Sequence, residues 1–348
     1  MDSFSALHLV RFPPPLPSTE EGLTRPRSSL TAEGEGEGVR SNAVPYFSSM
    51  RIGYACINQT LGCTSGSTFR LASYSEARLM ETVTNNLFCL ERTLQFNVDH
   101  GILFFRISSA LIPFASHPIN QVDWVGRFQK QFAAIGRFIR QNGIRIGMHP
   151  DQFVVLNSNR PEVIGNSVAE LTYHAKVLDA MGLPASAKIQ IHLGAAYNDK
   201  NNSMNVFVQE WRKLDRSIRR RLVIENDDRV FSAADCLQVS RIAEIPVVLD
   251  TFHHECLNNG EPLREVLEQA AATWRKADGR QIVDYSSQQQ GKRRGAHTAS
   301  LDAKHFRKFL SVAGDLELEM DVMIEIKDKE KSALRAVAFL EAARKEKT

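Results

Sequence analysis

Six short apolar runs in this chain end on a histidine or a carboxylate. Arg145-Ile-Gly-Met ends on His149, Lys188-Ile-Gln-Ile on His192 and Leu222-Val-Ile on Glu225. Pro246-Val-Val-Leu ends on Asp250, Gln281-Ile-Val on Asp284 and Asp321-Val-Met-Ile on Glu325. Imidazole and carboxylate together suit Mn²⁺, Zn²⁺, Fe²⁺ or Co²⁺ better than a thiolate-loving metal. Asp250-Thr-Phe-His253 puts a second donor where one run turns into its loop. His297 follows the run near 281–285, and His117 follows the run near 102–107. A single buried histidine is ordinarily a satisfied core or loop residue. Donors at so many successive run ends point instead to a polynuclear metal site.

Gathered at one point, these groups would do hydrolytic chemistry. Divalent ions lower the pKa of water from about 15.7 toward 7. Two ions roughly 3.5–4 Å apart can hold the attacking and leaving oxygens of an in-line phosphoryl displacement. Glu225 or Glu325 would bridge the ions, and no separate protein base is required.

Nearby loops carry groups suited to a polyanion. Gly291-Lys292-Arg293-Arg294 lies directly before Gly295-Ala-His297, and a basic run beside a metal ligand suits phosphate contacts. Arg216-Ser-Ile-Arg-Arg-Arg221 falls before a strand rather than after one, and reads as a helix-end charge cluster at the opposite end. Tyr54, Asn58, Gln152 and Phe153 sit in the loops after the first and third runs. A ring beside an amide can replace lost base stacking while the amide reads base edges.

The elements that must position these residues alternate. Apolar runs lie near 51–56, 102–107, 144–149, 188–193, 222–225, 246–250, 281–285 and 321–326. Continuous apolar runs are the mark of buried parallel strands. Amphipathic stretches near 75–98, 123–141, 161–181, 203–220, 232–243, 261–274, 302–313 and 329–345 read as helices. Ser75 and Ser232 are helix starts, and Gly143 and Gly182 are helix stops. This is the inventory of an α/β (β/α)₈ TIM barrel, whose active site forms at the carboxyl ends of its strands. A doubly wound open sheet would give no reason for ligands at so many strand ends.

Residues 1–49 differ. They carry Pro13-Pro-Pro and Glu33-Gly-Glu-Gly-Glu-Gly, a composition that cannot bury a core and reads as a disordered, dispensable extension. Residues 50–348 form the single catalytic domain. Net charge is +3; residues 1–49 hold four Arg and six Asp/Glu, so the remainder carries +5. A mildly basic body fits a polyanionic ligand. No apolar stretch approaches the roughly 20 residues of a membrane helix. Five scattered cysteines read as reduced thiols of an intracellular protein, with Cys56 a small core residue.

Eight ordered strings resemble the UV damage endonuclease family. They are Gly53-Tyr54-Ala-Cys-Ile-Asn58-Gln-Thr-Leu-Gly62, Phe96-Asn-Val-Asp-His-Gly101, Ile112-Pro-Phe-Ala-Ser-His117-Pro118, Met148-His149-Pro-Asp-Gln152, His192-Leu-Gly-Ala-Ala-Tyr197, Glu225-Asn-Asp-Asp-Arg229, Leu249-Asp250-Thr-Phe-His253-His254 and Glu325-Ile-Lys327. The resemblance covers about 51–330. It implies an enzyme that cuts duplex DNA immediately 5′ to cyclobutane dimers and 6-4 photoproducts, leaving a 3′-hydroxyl and a 5′-phosphate. It implies metal ligands at His149, His192, Glu225, Asp250, His253, His297 and Glu325, with Asp284 in reserve. Two or three divalent ions follow, manganese first, with zinc, cobalt or magnesium as alternatives. Glu225, Glu325 and Tyr54 become the catalytic set. Tyr54, Asn58, Gln152, Phe153, His117, Lys292, Arg293 and Arg294 become the DNA-binding set. The expected protein is a cytoplasmic monomer, nucleoid-associated if bacterial.

Three positions depart from the family pattern. Asp284 stands where some members carry a histidine ligand. Ile282 stands where some carry a lysine that becomes carboxylated. Phe153 replaces a tyrosine. An abasic-site endonuclease, a sugar isomerase or epimerase on a related metal barrel, and a damage-binding protein without catalysis are the competing readings.

Overall fold

The structure is a computed structural model that describes residues 50–197 and 199–346. The extension at 1–49 lies outside the described residues. Eight parallel strands close into a barrel in chain order. They are β1 (Arg51–Ala55), β2 (Phe104–Ile107), β3 (Arg145–Met148), β4 (Lys188–His192), β5 (Leu222–Glu225), β6 (Val247–Asp250), β7 (Gln281–Tyr285) and β8 (Met320–Ile324). Each overlaps an apolar run read from the sequence.

The outer layer begins with α1 (Glu76–Asp99), α2 (Trp124–Arg127), α3 (Gln129–Gln141) and α4 (Pro161–Ala180). It continues with α5 (Lys200–Lys213), α6 (Arg216–Arg219), α7 (Ala233–Ala243) and α8 (Thr251–Cys256). It closes with α9 (Leu263–Ala271), α10 (Ala303–Asp315) and α11 (Glu330–Glu346). Ser75 caps α1 by accepting from the Arg78 N–H, and Ser232 and Asp235 form a reciprocal capping box on α7. Gly143 and Gly182 have φ of +62° and +64°, the left-handed turn that ends a helix. Two expected helices are each split. The 123–141 stretch breaks at Phe128, and the 203–220 stretch breaks where Asp215 caps a new turn. Helix α8 was not legible as an element, since six residues carry too little periodicity to show a face.

Strand alternation stacks the barrel interior in layers. Ala55, Phe104, Val223, Val248, Ile282 and Met323 form a buried apolar plug. Below it, at the amino end, Arg145 donates to Asp321 at 2.8 Å, and Lys188 pairs with Asp278. Above it lies the polar mouth. Gly53 is required by the closure of β1 on β2: an added Cβ would meet the Phe104 carbonyl oxygen at 2.4 Å.

One expectation needs correction. Cys63 and Cys89 are joined as a disulfide, tying the loop after β1 to α1. Their 26-residue separation hid the pair, because only the packing of α1 brings them together. Asn86 reinforces the same junction by accepting from Ser67 N and donating to the Ser67 carbonyl, both at 2.9 Å. Cys56, Cys236 and Cys256 are free, and Cys56 packs against the apolar plug as expected. Among the described residues no helix is long and apolar enough to cross a membrane.

Candidate metal centre

Register brings the donors together. His192 is the β4 partner of Glu225 on β5, and Asp250 on β6 is the partner of Asp284 on β7. His149 follows β3 and Glu325 follows β8. Three groups with mutually close ligand atoms result. They are His149–His192–Glu225, Glu225–Asp250–His253 and Asp250–Asp284–Glu325. Within each, the donor atoms lie within 4.8 Å of one another. Glu225 links the first two groups and Asp250 the last two.

Glu225 is the hub. It is 1% exposed. His149 Nε2 lies 3.1 Å from Oε2, His192 Nε2 3.6 Å from Oε2, and His253 Nδ1 3.3 Å from Oε1. Burial alone would raise the Glu225 pKa, but His192, His149 and His253 hold it well below the usual carboxylate range. The rings form an arc, with centroids 5.4 Å apart for His149–His192 and 5.9 Å for His192–His253 and His253–His297.

Ring nitrogens facing backbone carbonyls orient the histidines. His149 Nδ1 is 2.8 Å from the Pro150 carbonyl oxygen, and His297 Nδ1 is 2.7 Å from that of Glu325. A carbonyl only accepts, so these nitrogens carry the proton and the Nε2 lone pairs are left to bind, the usual arrangement behind a metal-ligating imidazole. Asp250 spends Oδ1 capping α8, accepting from Phe252 N and His253 N at 2.8 Å each. This cap places His253 in the mouth. Burial raises Asp250 to about 6. For His253 burial works against the charge, yet Asp250 and Glu225 hold the imidazolium up to about 11. That proton is a positive charge which a bound cation would displace.

The donor set fits divalent metal. Asp250 Oδ2 and Asp284 Oδ1 are buried and have no hydrogen-bond partner among the described residues. Orphaned acceptors at the centre of a mixed imidazole–carboxylate cluster are what a cation would satisfy.

Two residues at the centre escaped the sequence reading. Arg106 reaches in from β2, donating to Asp284 Oδ2 at 2.7 Å, to Gln190 Oε1 at 3.0 Å, and to Glu325. Gln190 donates through Nε2 to Glu225 Oε2 at 2.6 Å and to Asp284 Oδ2 at 2.7 Å. Burial disfavours the Arg106 charge, but Asp284, Glu325 and Glu225 reverse that effect. Against its own burial, Glu325 is drawn down to about 2 by Arg106. Asp284 is pushed well up by burial, Arg106 notwithstanding. The available signal was alternation. Lys188, Gln190 and His192 share one face of β4, and Arg106 interrupts one of the two runs that lack an acid or histidine at their ends. Ile282 lies in the apolar plug one inward position below Asp284, so that position carries hydrocarbon and no metal-ligating group.

The expected DNA-contacting residues divide. Phe153 is 62% exposed, beside exposed Gln152, just beyond His149. Lys292 and Arg293 are exposed; Arg294 is tied down by donating to the Cys256 carbonyl at the end of α8. His117 is exposed in the loop after β2, its Nδ1 accepting from Ile119 N at 3.0 Å, and it joins none of the three donor groups. Tyr54 and Asn58 are both buried. The Tyr54 hydroxyl donates to Asn97 Oδ1 at 2.8 Å and accepts from Asn58 Nδ2 at 2.9 Å. Asn58 Oδ1 accepts from Thr60 N and Leu61 N. Together they brace the β1 loop. Alternation sends Tyr54 outward into the helix layer, the opposite side from Gly53 and Ala55.

A closed (β/α)₈ barrel with histidine and carboxylate donors gathered at its carboxyl mouth is an enzyme scaffold with its site in the usual place. A family model for UV-endonuclease UvdE matches residues 50–347. The chain is similar to the UV DNA damage endonuclease of Clostridium perfringens (strain 13 / Type A), 35% identical over 298 residues, covering 85% of this chain and 72% of that protein. It is 33% identical over 303 residues to the one from Bacillus cereus (strain Q1), covering 85% and 96%. The crystal structure of SacUVDE superposes with a TM-score of 0.80 at 47% identity, covering 84% of this chain and 98% of that one. The chain belongs to the UV-endonuclease UvdE family. It is a DNA repair enzyme, a nuclease acting on phosphodiester bonds.

Proposed function

We propose that this enzyme is metal-dependent and nicks duplex DNA immediately 5′ to cyclobutane dimers and 6-4 photoproducts, leaving a 3′-hydroxyl and a 5′-phosphate. The convergence of three imidazole nitrogens on the buried Glu225 carboxylate supports this reading best. Bound divalent ions, manganese first, supply a water of lowered pKa and neutralise phosphoryl oxygens. His149, His192, Glu225, Asp250 and His253 would hold them, with His297 on the same rim and Glu325 and Asp284 in the third donor group beside them. Gln190 fixes the Glu225 and Asp284 carboxylates by donating to both. Lys292 and Arg293 meet backbone phosphates, so binding weakens steeply with salt. Photoproducts stack poorly and cost less to open than normal duplex, which gives selectivity. The enzyme acts as a cytoplasmic monomer.

A nicking assay on irradiated and unirradiated supercoiled plasmid tests this directly. Nicking is expected only on irradiated plasmid with Mn²⁺ and is abolished by chelator. Equal cutting of both plasmids, or full activity in chelator, would overturn the proposal.

Phe153 and Gln152 probe the duplex. Phe153→Ala is expected to reduce the preference for damaged over intact duplex about tenfold, on the basis of roughly 1–3 kcal/mol per stacked base. Competition binding with irradiated and intact oligonucleotides measures it. An equal loss on both substrates would contradict the probing role.

Residues 1–49 are dispensable for nicking, a reading supported by a family match that begins at residue 50. A chain starting at Met50 is expected to retain full nicking rates in the same plasmid assay, and lost activity would refute this.

A further inference from the structure

We infer that the Arg106 guanidinium permanently occupies the third cation position of this centre, so that the mouth takes two divalent ions and not three. The inference rests on the metal-dependent reading above and specifies its stoichiometry.

The donor atoms form three close groups, which alone would suggest three ions. The groups are not equivalent. His149–His192–Glu225 and Glu225–Asp250–His253 contain imidazoles, share Glu225 as a bridge, and include no arginine contact. The third, Asp250–Asp284–Glu325, is all carboxylate, and two of its three members already bind Arg106. The guanidinium is a cation placed between two carboxylates, which is the position a bridging metal ion would take.

Arg106 is built into that place. It is 5% exposed, lies on a barrel strand, and its Nη2 donates to Gln190 Oε1 as well as to Asp284. Gln190 in turn donates to Glu225 and Asp284, so the side chain belongs to a hydrogen-bonded lattice spanning β2, β4, β5, β7 and β8. An arginine cannot shed its proton to make room for a metal. Displacing it would strand a buried charge.

Formal charge agrees. Counted formally in their ionised forms, Glu225, Asp250, Asp284 and Glu325 bring four negative charges, and Arg106 cancels one. Histidines bind metal in the neutral form. Two divalent ions then leave a single surplus positive charge, which one phosphodiester anion balances. Three ions would leave a surplus of three in a buried mouth. Of the orphaned carboxylate oxygens, Asp250 Oδ2 belongs to a member of the second group and would serve the second ion.

The test counts ions on the full-length protein. Equilibrium dialysis against Mn²⁺ with elemental analysis is expected to give two equivalents per chain at saturation. Anomalous diffraction from Mn²⁺-soaked crystals is expected to give two peaks flanking Glu225 and none between Asp284 and Glu325. Arg106→Gln removes the cation and is expected to raise the count from two to three, while Arg106→Lys keeps it at two. Three equivalents on the unaltered chain would overturn this inference and leave metal dependence standing. No bound manganese would overturn both. Folded Arg106→Gln that still takes only two ions would also overturn it. Should that variant fail to fold, the count on the unaltered chain decides.

Discussion

Glu225→Gln is expected to abolish nicking while the barrel still folds. The substitution keeps shape and removes the one charge on which His149, His192 and His253 converge. Losing a group behind a metal ligand typically costs about 10–100-fold in metal affinity or activity. Glu225 itself joins two donor groups, so its loss should exceed about 100-fold in plasmid nicking. It should also weaken Mn²⁺ binding, measured by dialysis on the same protein. The fold should survive, because a neutral amide is cheaper to bury than a carboxylate. Unchanged circular dichroism beside near-normal nicking would remove Glu225 from the centre.

The second large effect is at the opposite end of the barrel and is one of stability. Arg145→Ala leaves Asp321 buried, its Oδ1 already without a partner among the described residues and only the half-exposed Arg51 at 3.3 Å to balance it. Breaking a buried pair on one side costs about 3–5 kcal/mol. The same change removes the guanidinium stacked 5.3 Å from the Trp274 ring centroid and frees the carbonyls of Asp278 and Arg280 that it caps. A fall in melting temperature of about 6 °C or more follows. Nicking measured well below the transition should stay normal, since the apolar plug separates Arg145 from the mouth. Lost nicking at unchanged melting temperature would contradict this division between a stabilising base and a reactive mouth.

The two ends explain why some residues could be read in one dimension and others could not. His149, His192, Glu225, Asp250 and Glu325 were visible because each terminates an apolar run, and a parallel barrel delivers strand ends to one mouth. Arg106 and Gln190 sit inside their runs. Their significance lies in contacts across the barrel to β7, β8 and β5, which no local pattern encodes. Tyr54 and Asn58 were visible as motif residues, yet their hydroxyl and amide turn toward Asn97 and the loop backbone. The Cys63–Cys89 link depended in the same way on how α1 packs.

What the amino-acid order determined by itself is the barrel, the end of it that carries the chemistry, and the kinds of donor found there. Period and polarity are local properties, and the closed sheet follows from them. What only the tertiary structure decided is which charges neutralise which. Partners such as Arg106 and Asp284 stand 178 residues apart along the chain. Their meeting is set by strand register and closure, so the balance of the buried mouth between metal and arginine emerges only once the ring is shut.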